Sequence, residues 1–194
     1  RAGVGSGGGV TGGARAPGRC RGGVRVMGSG GGGGQPELAL VRARQAMPVP
    51  AGLDWPAAGG LPEVFTTAHD AVVVQAGLRP GERLLVHGAA GGVGTAAIQL
   101  ASAMGASVVA TTRHEQFEPR LEALGAEVVT RPGEHLGLGP FDVVLELIGG
   151  ANLGDDVKAL ASGGRIAIVG VGGGIKAELN LLALMSVRGR VFGS

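Results

Sequence analysis

The stretch Leu84–Ala101, "LLVHGAAGGVGTAAIQLA", decides the fold. An apolar run ends at His87, glycines follow at 88, 91, 92 and 94, and an alanine-rich segment comes next. The pattern predicts a buried strand over Arg83–His87, a tight turn, and a helix from about Val93 to Met104. Ala97, Leu100, Ala101 and Met104 fall at i, i+3, i+4 and i+7 on one helix face, and Gly105 supplies the stop. The frame fits the dinucleotide fingerprint G-x-G-x-x-G with one departure: Ala89 stands where the first glycine belongs. That first glycine serves the tight turn, and alanine serves it too if its φ stays negative. Gly91 stands where a side chain would block a pyrophosphate, and Gly94 where the helix must approach the sheet closely. Phosphates would then sit on free N–H groups at the positive end of the helix dipole.

Downstream, short β-rich runs alternate with helical ones. "SVVATT", "AEVVT", "FDVVLELIG", "GRIAIVGVG" and "RVFGS" read as strands. "EQFEPRLEALG", "ANLGDDVKALA" and "NLLALMSVRG" read as helices, the last capped by Asn180. Such alternation implies parallel strands joined by crossover helices, an α/β fold with a doubly wound sheet. Upstream, "GLPEVFTTAHDAVVVQAG" reads as a helix with Pro62 and Glu63 in its first turn, and Leu38–Val41 as a strand.

Residues 1–34 hold five arginines, no acidic residue and 16 of the 41 glycines. They cannot bury enough apolar surface to offset backbone entropy, so a disordered leader is expected. Leaving them aside, 12 basic residues face 15 acidic ones, so the high pI reports the leader and not the main domain. With no aromatic interleaving and thin charge, the leader gives no case for nucleic-acid binding. No apolar run is long enough for a membrane span. A single cysteine, Cys20, rules out an internal disulfide and fits a reducing, cytoplasmic setting.

The end of the second strand selects the dinucleotide. An acidic residue there accepts from a ribose 2′-OH and repels a 2′-phosphate. This chain has Thr111, Thr112 and Arg113, whose hydroxyls and guanidinium suit a dianionic phosphate, so NADPH is expected over NADH. A solvated surface arginine is the alternative for Arg113. Arg131, after the third strand, either adds charge near that phosphate or is an ordinary loop arginine. His69, His87, His114 and His135 show no ligand spacing along the chain, so no metal site is expected. His87, ending a strand, reads as a packed or hydrogen-bonded structural residue. The absence of tyrosine, of G-x-S-x-G and of G-x-x-x-x-G-K-[ST] removes tyrosine-acid dehydrogenases, α/β-hydrolases and P-loop enzymes.

"GLPEVFTTAHDAV", "AGLRPGERLLVHGAAGGVGTAAIQLA", "FDVVLELIGG" and "SGGRIAIVGVGGG" together resemble the medium-chain dehydrogenase/reductase superfamily. "GAAGGVG" narrows the resemblance to its zinc-independent quinone oxidoreductase branch. The resemblance covers about residues 24–194 and implies NADPH-dependent hydride transfer to a quinone, enone or other conjugated carbonyl. It implies that Ala90, Gly91, Gly92, Val93 and Gly94 hold the pyrophosphate, and that Arg113 and Arg131 lie near the adenosine ribose phosphate, beside the Thr112 read from the strand end. It places Thr67 near the nicotinamide, Gly149 beside the cofactor ribose, and Val169, Gly170 and Val171 along the nicotinamide end. Residues 35–50 resemble the closing strand of a GroES-like β domain, and 51–194 an incomplete Rossmann domain. Members often pair sheet edges in a homodimer. Because so little of the β domain is present, the alternative expectation is a dinucleotide-binding fragment without turnover.

Overall fold

The computed structural model describes residues 4–9, 24–30, 42 and 45–194. The chain forms two compact units, Arg1–Thr66 and Thr67–Ser194, where the sequence reading divides it at Ala51.

In the first unit, β1 (Val4–Gly9), β2 (Arg25–Gly30) and β3 (Met47–Pro48) make a three-stranded antiparallel sheet. The register runs from Val4 opposite Gly30 to Gly9 opposite Arg25. Residues 4–9 and 25–30 of the segment expected to be a disordered leader thus pair as strands, and most of the rest of that segment lies outside the described residues. Ladder bonds join backbone to backbone, so a glycine-rich run can pair, and Val26 and Met27 are buried and anchor the partner strand. The strand expected over Leu38–Val41 lies outside the described residues.

Helix α1 spans Trp55–His69. It starts earlier than expected because Asp54 Oδ1 accepts the Ala57 N–H at 2.9 Å and caps it. Pro62 consequently stands inside the helix and not in its first turn. Proline lacks the N–H that would close the turn there, and the Thr66 hydroxyl donates to the Pro62 carbonyl. Glu63, expected at the helix's positive end, instead accepts from the Ser29 hydroxyl.

In the second unit a π-helical turn, Asp70–Gln75, leads to a six-stranded sheet. Its strands are β4 (Arg83–Val86), β5 (Ser107–Thr111), β6 (Val128–Thr130), β7 (Phe141–Glu146), β8 (Leu160–Ile168) and β9 (Arg190–Gly193). The order is β6-β5-β4-β7-β8-β9 and every neighbouring pair is parallel. The order reverses between β4 and β7, the switch point at which open α/β sheets bind ligands.

Helices α2 (Gly92–Ala103), α3 (Glu118–Ala123), α4 (Leu153–Lys158) and α5 (Leu181–Ser186) connect the strands. Asn180 caps α5 as expected, its Oδ1 accepting the Ala183 N–H at 3.0 Å. α2 packs on β4 and β5 through the fully buried Ala97, Ile98 and Ala101. Leu85, Val109, Phe141, Val144, Leu160 and Ile166 form a core cluster with Leu153 and Val157 of α4.

One buried charge ties β8 to the segment before β4. Arg165 grips Glu82 with two bonds of 2.9 Å and also donates to the carbonyls of Ala76, Gly77 and Asp142. A fork that fills its donors this way holds a buried guanidinium without an orphaned N–H.

Candidate functional site

Gly88 and Ala89 settle how the glycine turn tolerates an alanine. Gly88 takes the left-handed conformation, φ +65°, and a Cβ there would fall 2.7 Å from Ile148 Cδ1. Ala89 keeps a negative φ, is fully buried, and donates its N–H to the Thr111 carbonyl at 3.1 Å. The tight turn belongs to Gly88, so Ala89 needs no glycine. Gly94 is constrained from the other side: a Cβ would lie 2.6 Å from the Ala89 carbonyl oxygen and 2.7 Å from Ala89 Cα. Helix and turn meet backbone to backbone at that point, as the fingerprint's last glycine requires.

Gly91 caps α2 in extended conformation, φ −76°, and a Cβ there would meet only the Gly88 carbonyl at 3.5 Å. The protein therefore does not require glycine at 91, whereas a ligand lying on the turn would. Thr95 donates its N–H to the Gly91 carbonyl at 2.9 Å and closes the first helical turn. Gly92, Val93 and Gly94 precede that bond, so their N–H groups are the free donors of the helix start.

A cavity of about 540 Å³ opens at the carboxyl ends of the strands. Gly88 and Ala90 line it from the turn, and Thr111, Thr112, Arg113 and His114 from the end of β5. Leu147, Ile148 and Asn152 follow β7, Gly172 and Gly173 follow β8, and Pro132 closes the β6 side. Of the residues expected on cofactor, Ala90, Thr112 and Arg113 thus line the cavity, and Gly91 to Gly94 frame the helix start.

The others stand elsewhere. Thr67 lies in the last turn of α1 and does not line the cavity. Arg131 pairs with Glu115, lies 3.8 Å from Glu118, and donates to the Arg113 carbonyl at 2.8 Å. Its charge is engaged by carboxylates, and it steadies the loop that carries Arg113. Gly149, φ +117°, packs under the next loop, where a Cβ would fall 2.6 Å from the Gly174 carbonyl. Val169 and Gly170 both donate to the Glu146 carbonyl, and Val171 is exposed.

The threonine hydroxyls are also placed differently from the sequence reading. Thr111 Oγ1 sits 3.0 Å from His87 Nδ1, and Thr112 Oγ1 accepts the His114 N–H at 3.3 Å. Both face protein partners, so Arg113 is left as the cation at this end of the cavity. Its exposed guanidinium makes no ion pair among the described residues, and no carboxylate lines the cavity.

Beneath the cavity floor lies Glu146, fully buried at the end of β7. Burial pushes its carboxyl above the ordinary carboxylate value, against N–H bonds from Gly149 and Ile148, the Asn152 amide and the nearby His87. It ties down the loop whose Leu147, Ile148 and Asn152 wall the cavity.

Sequence spacing did not reveal one cluster. His87, His135 and Asp156 lie far apart along the chain, yet their ligand atoms fall within 4.8 Å of one another. His87 Nε2 stands 2.7 Å from Asp156 Oδ1, which bears out the hydrogen-bonded reading of His87. The short 3₁₀ turn Glu134–Leu138 that brings His135 inward carries no periodic signal.

A parallel sheet with a glycine turn opening a helix at its switch point defines the dinucleotide-binding class of α/β domains. The zinc-binding dehydrogenase family model matches residues 92–194. Quinone oxidoreductase of Homo sapiens is 31% identical over 170 residues, covering 83% of this chain and 51% of that protein. The polyketide synthase system protein NorB of Streptomyces orinoci is 38% identical over 141 residues, covering 69% of this chain and 6% of NorB. The solved quinone oxidoreductase of Thermus thermophilus, also determined with NADPH, superposes with TM-score 0.80 at 34% identity. That match covers 88% of this chain and 57% of the solved one. The chain belongs to the zinc-binding dehydrogenase family of the medium-chain dehydrogenase/reductase superfamily. It spans about half the length of the curated quinone oxidoreductases it matches.

Proposed function

We propose that the chain is an NADPH-dependent oxidoreductase that delivers hydride to a quinone or other conjugated carbonyl compound, without zinc in the chemistry. The observation that carries the reading is one cavity lined by the glycine turn at Gly88 and Ala90 and by Arg113, whose guanidinium makes no ion pair among the described residues. The residues fit the cofactor. Free N–H groups at Gly92 to Gly94 suit a pyrophosphate, open space at Gly91 lets it approach, and Arg113 suits a 2′-phosphate. A cavity of this volume falls in the range of about 300–1,000 Å³ common for ligand pockets. Quinone oxidoreductases among the relatives support the substrate class.

When bound, the reduced nicotinamide supplies the hydride, and water or a cofactor hydroxyl supplies the proton. The protein's part is to bind and orient. The α2 start fixes the phosphates, and the Glu146-tethered loop fixes the cavity wall. Among the described residues the one cluster of metal-ligating side chains is closed to solvent and does not line the cavity. No helix among the described residues is long and apolar enough to cross a membrane. A homodimer belongs to the same proposal, and the molar mass in solution tests it.

The experiment follows the absorbance of NADPH with the full chain and a panel of quinones and enones. Enzyme-dependent oxidation supports the proposal. Cofactor binding without oxidation across the panel replaces it with a dinucleotide-binding module.

A further inference from the structure

Three buried side chains have no part in the dinucleotide reading. His87 follows β4, His135 sits in the 3₁₀ turn between β6 and β7, and Asp156 lies in α4. None is more than 1% exposed. Asp156 Oδ1 is 2.7 Å from His87 Nε2 and 3.6 Å from His135 Nε2. The two imidazoles meet edge to face with centroids 4.7 Å apart.

Hydrogen bonding within the protein does not satisfy this cluster. The Thr111 hydroxyl can donate to His87 Nδ1 while His87 Nε2–H donates to Asp156 Oδ1. That arrangement leaves His135 Nδ1, His135 Nε2 and Asp156 Oδ2 buried with no partner among the described residues. Orphaned polar atoms in an interior are costly, and three in one cluster point to a missing partner.

We propose that His87, His135 and Asp156 bind a divalent transition-metal ion, zinc by preference, at a structural site. Two imidazole nitrogens and a carboxylate oxygen are a ligand set that zinc accepts, with a water in the fourth position. Bonds of about 2.0–2.1 Å in a tetrahedron keep ligand atoms roughly 3.3 Å apart. The His135–Asp156 separation already matches. The His87–Asp156 contact needs only a small rotation that presents the free Oδ2. On the far side of its ring, His87 Nδ1–H then donates to Thr111 Oγ1, the outer bond that orients a metal-bound imidazole. The ion pins β4, the His135 turn and α4 together below the cofactor cavity. It touches no substrate, so the site is separate from the hydride chemistry.

The test is the metal content of the purified full chain, with its melting temperature before and after chelation and after titration with Zn²⁺ or Co²⁺ alone. The expected result is one metal ion per chain, a melting temperature that falls by about 5 °C or more on chelation and recovers with Zn²⁺, and visible Co²⁺ absorption of a tetrahedral site. His135→Ala and the gentler His135→Gln should both lose the ion, and His69→Ala, on the surface, should keep it. A chain without stoichiometric metal, with a chelator-insensitive melt and a Co²⁺ spectrum of the free aqua ion, overturns the proposal and leaves a metal-free hydrogen-bonded cluster. Retention of the ion by both His135 variants overturns the ligand assignment.

Discussion

Gly91 and Gly94 stand three residues apart in one turn, yet a side chain should have opposite consequences at the two. At Gly94 a new Cβ falls 2.6, 2.7 and 2.8 Å from the carbonyl oxygen, Cα and carbonyl carbon of Ala89. All three are backbone atoms, so no rotamer relieves the clash and α2 must slide to restore a normal contact of about 3.5–4.0 Å. Overpacking of this kind costs about 1–3 kcal/mol. Replacing glycine by alanine in a helix returns up to about 1 kcal/mol. The net loss for Gly94→Ala is about 1–2 kcal/mol, which lowers the melting temperature by about 5 °C in a unit of this size.

At Gly91 the nearest atom to the new Cβ is 3.5 Å away and φ is −76°, which any residue adopts. Gly91→Val should therefore melt within about 2–3 °C of the parent, given a loss of a few tenths to about 1 kcal/mol at a helix cap. It should nevertheless abolish NADPH binding, because the isopropyl group lies over the free N–H groups of α2. The assays are thermal melts by circular dichroism and titration of NADPH fluorescence. A Gly94→Ala chain as stable as the parent refutes the close approach, and unchanged NADPH affinity in Gly91→Val refutes the phosphate cradle.

Two carboxylates should tilt the pH dependence of stability in opposite directions. Burial pushes Glu82 upward, but the Arg165 fork, the Arg79 N–H and the charges of Arg165 and Arg79 outweigh it and hold the carboxyl below its ordinary 4.5. The native state then binds fewer protons than the unfolded one, so this stability is whole above about pH 4.5 and is lost as pH falls through the folded value. Urea melts should show Glu82→Gln losing less stability than the parent between about pH 5 and pH 3, and equal losses contradict the pair's role. Glu146 has the reverse sign: burial raises it, so the native state holds its proton longer and stability declines as pH climbs above the ordinary 4.5. Glu146→Gln should flatten that decline between about pH 5 and pH 8, and a slope identical to the parent's would falsify the buried-carboxyl account.

The sheet and its central turn were legible because their causes are local. β4, β5 and β7 are short apolar runs, α2 shows its buried face at helical spacing, and Asn180 caps α5 by a side chain three residues from its partner. The start of α1 was misread because Pro62 carries a strong first-turn signal, whereas the stronger Asp54 cap lies earlier. Strands β1 and β2 escaped because glycine content says much about entropy and nothing about which backbone lies opposite. In the site, the β5 end was found from spacing alone, but the direction of a hydroxyl was not: Thr111 turns to His87 across 24 residues of sequence. His87, His135 and Asp156 come from three separate elements, and only the stacking of β4, the His135 turn and α4 makes them neighbours.

The central claim is that the cavity holds a dinucleotide by its 2′-phosphate through Arg113, and the ratio of NADPH to NADH affinity for the full chain tests it most directly. A charge-assisted hydrogen bond from an exposed guanidinium to a dianionic phosphate contributes about 1.5–2 kcal/mol, so NADPH should bind at least about tenfold tighter than NADH. Arg113→Asp should erase or reverse that ratio with no change in melting temperature beyond about 1 °C, since the guanidinium makes no ion pair among the described residues. Equal affinities in the parent, or a preference that survives Arg113→Asp, contradict the account.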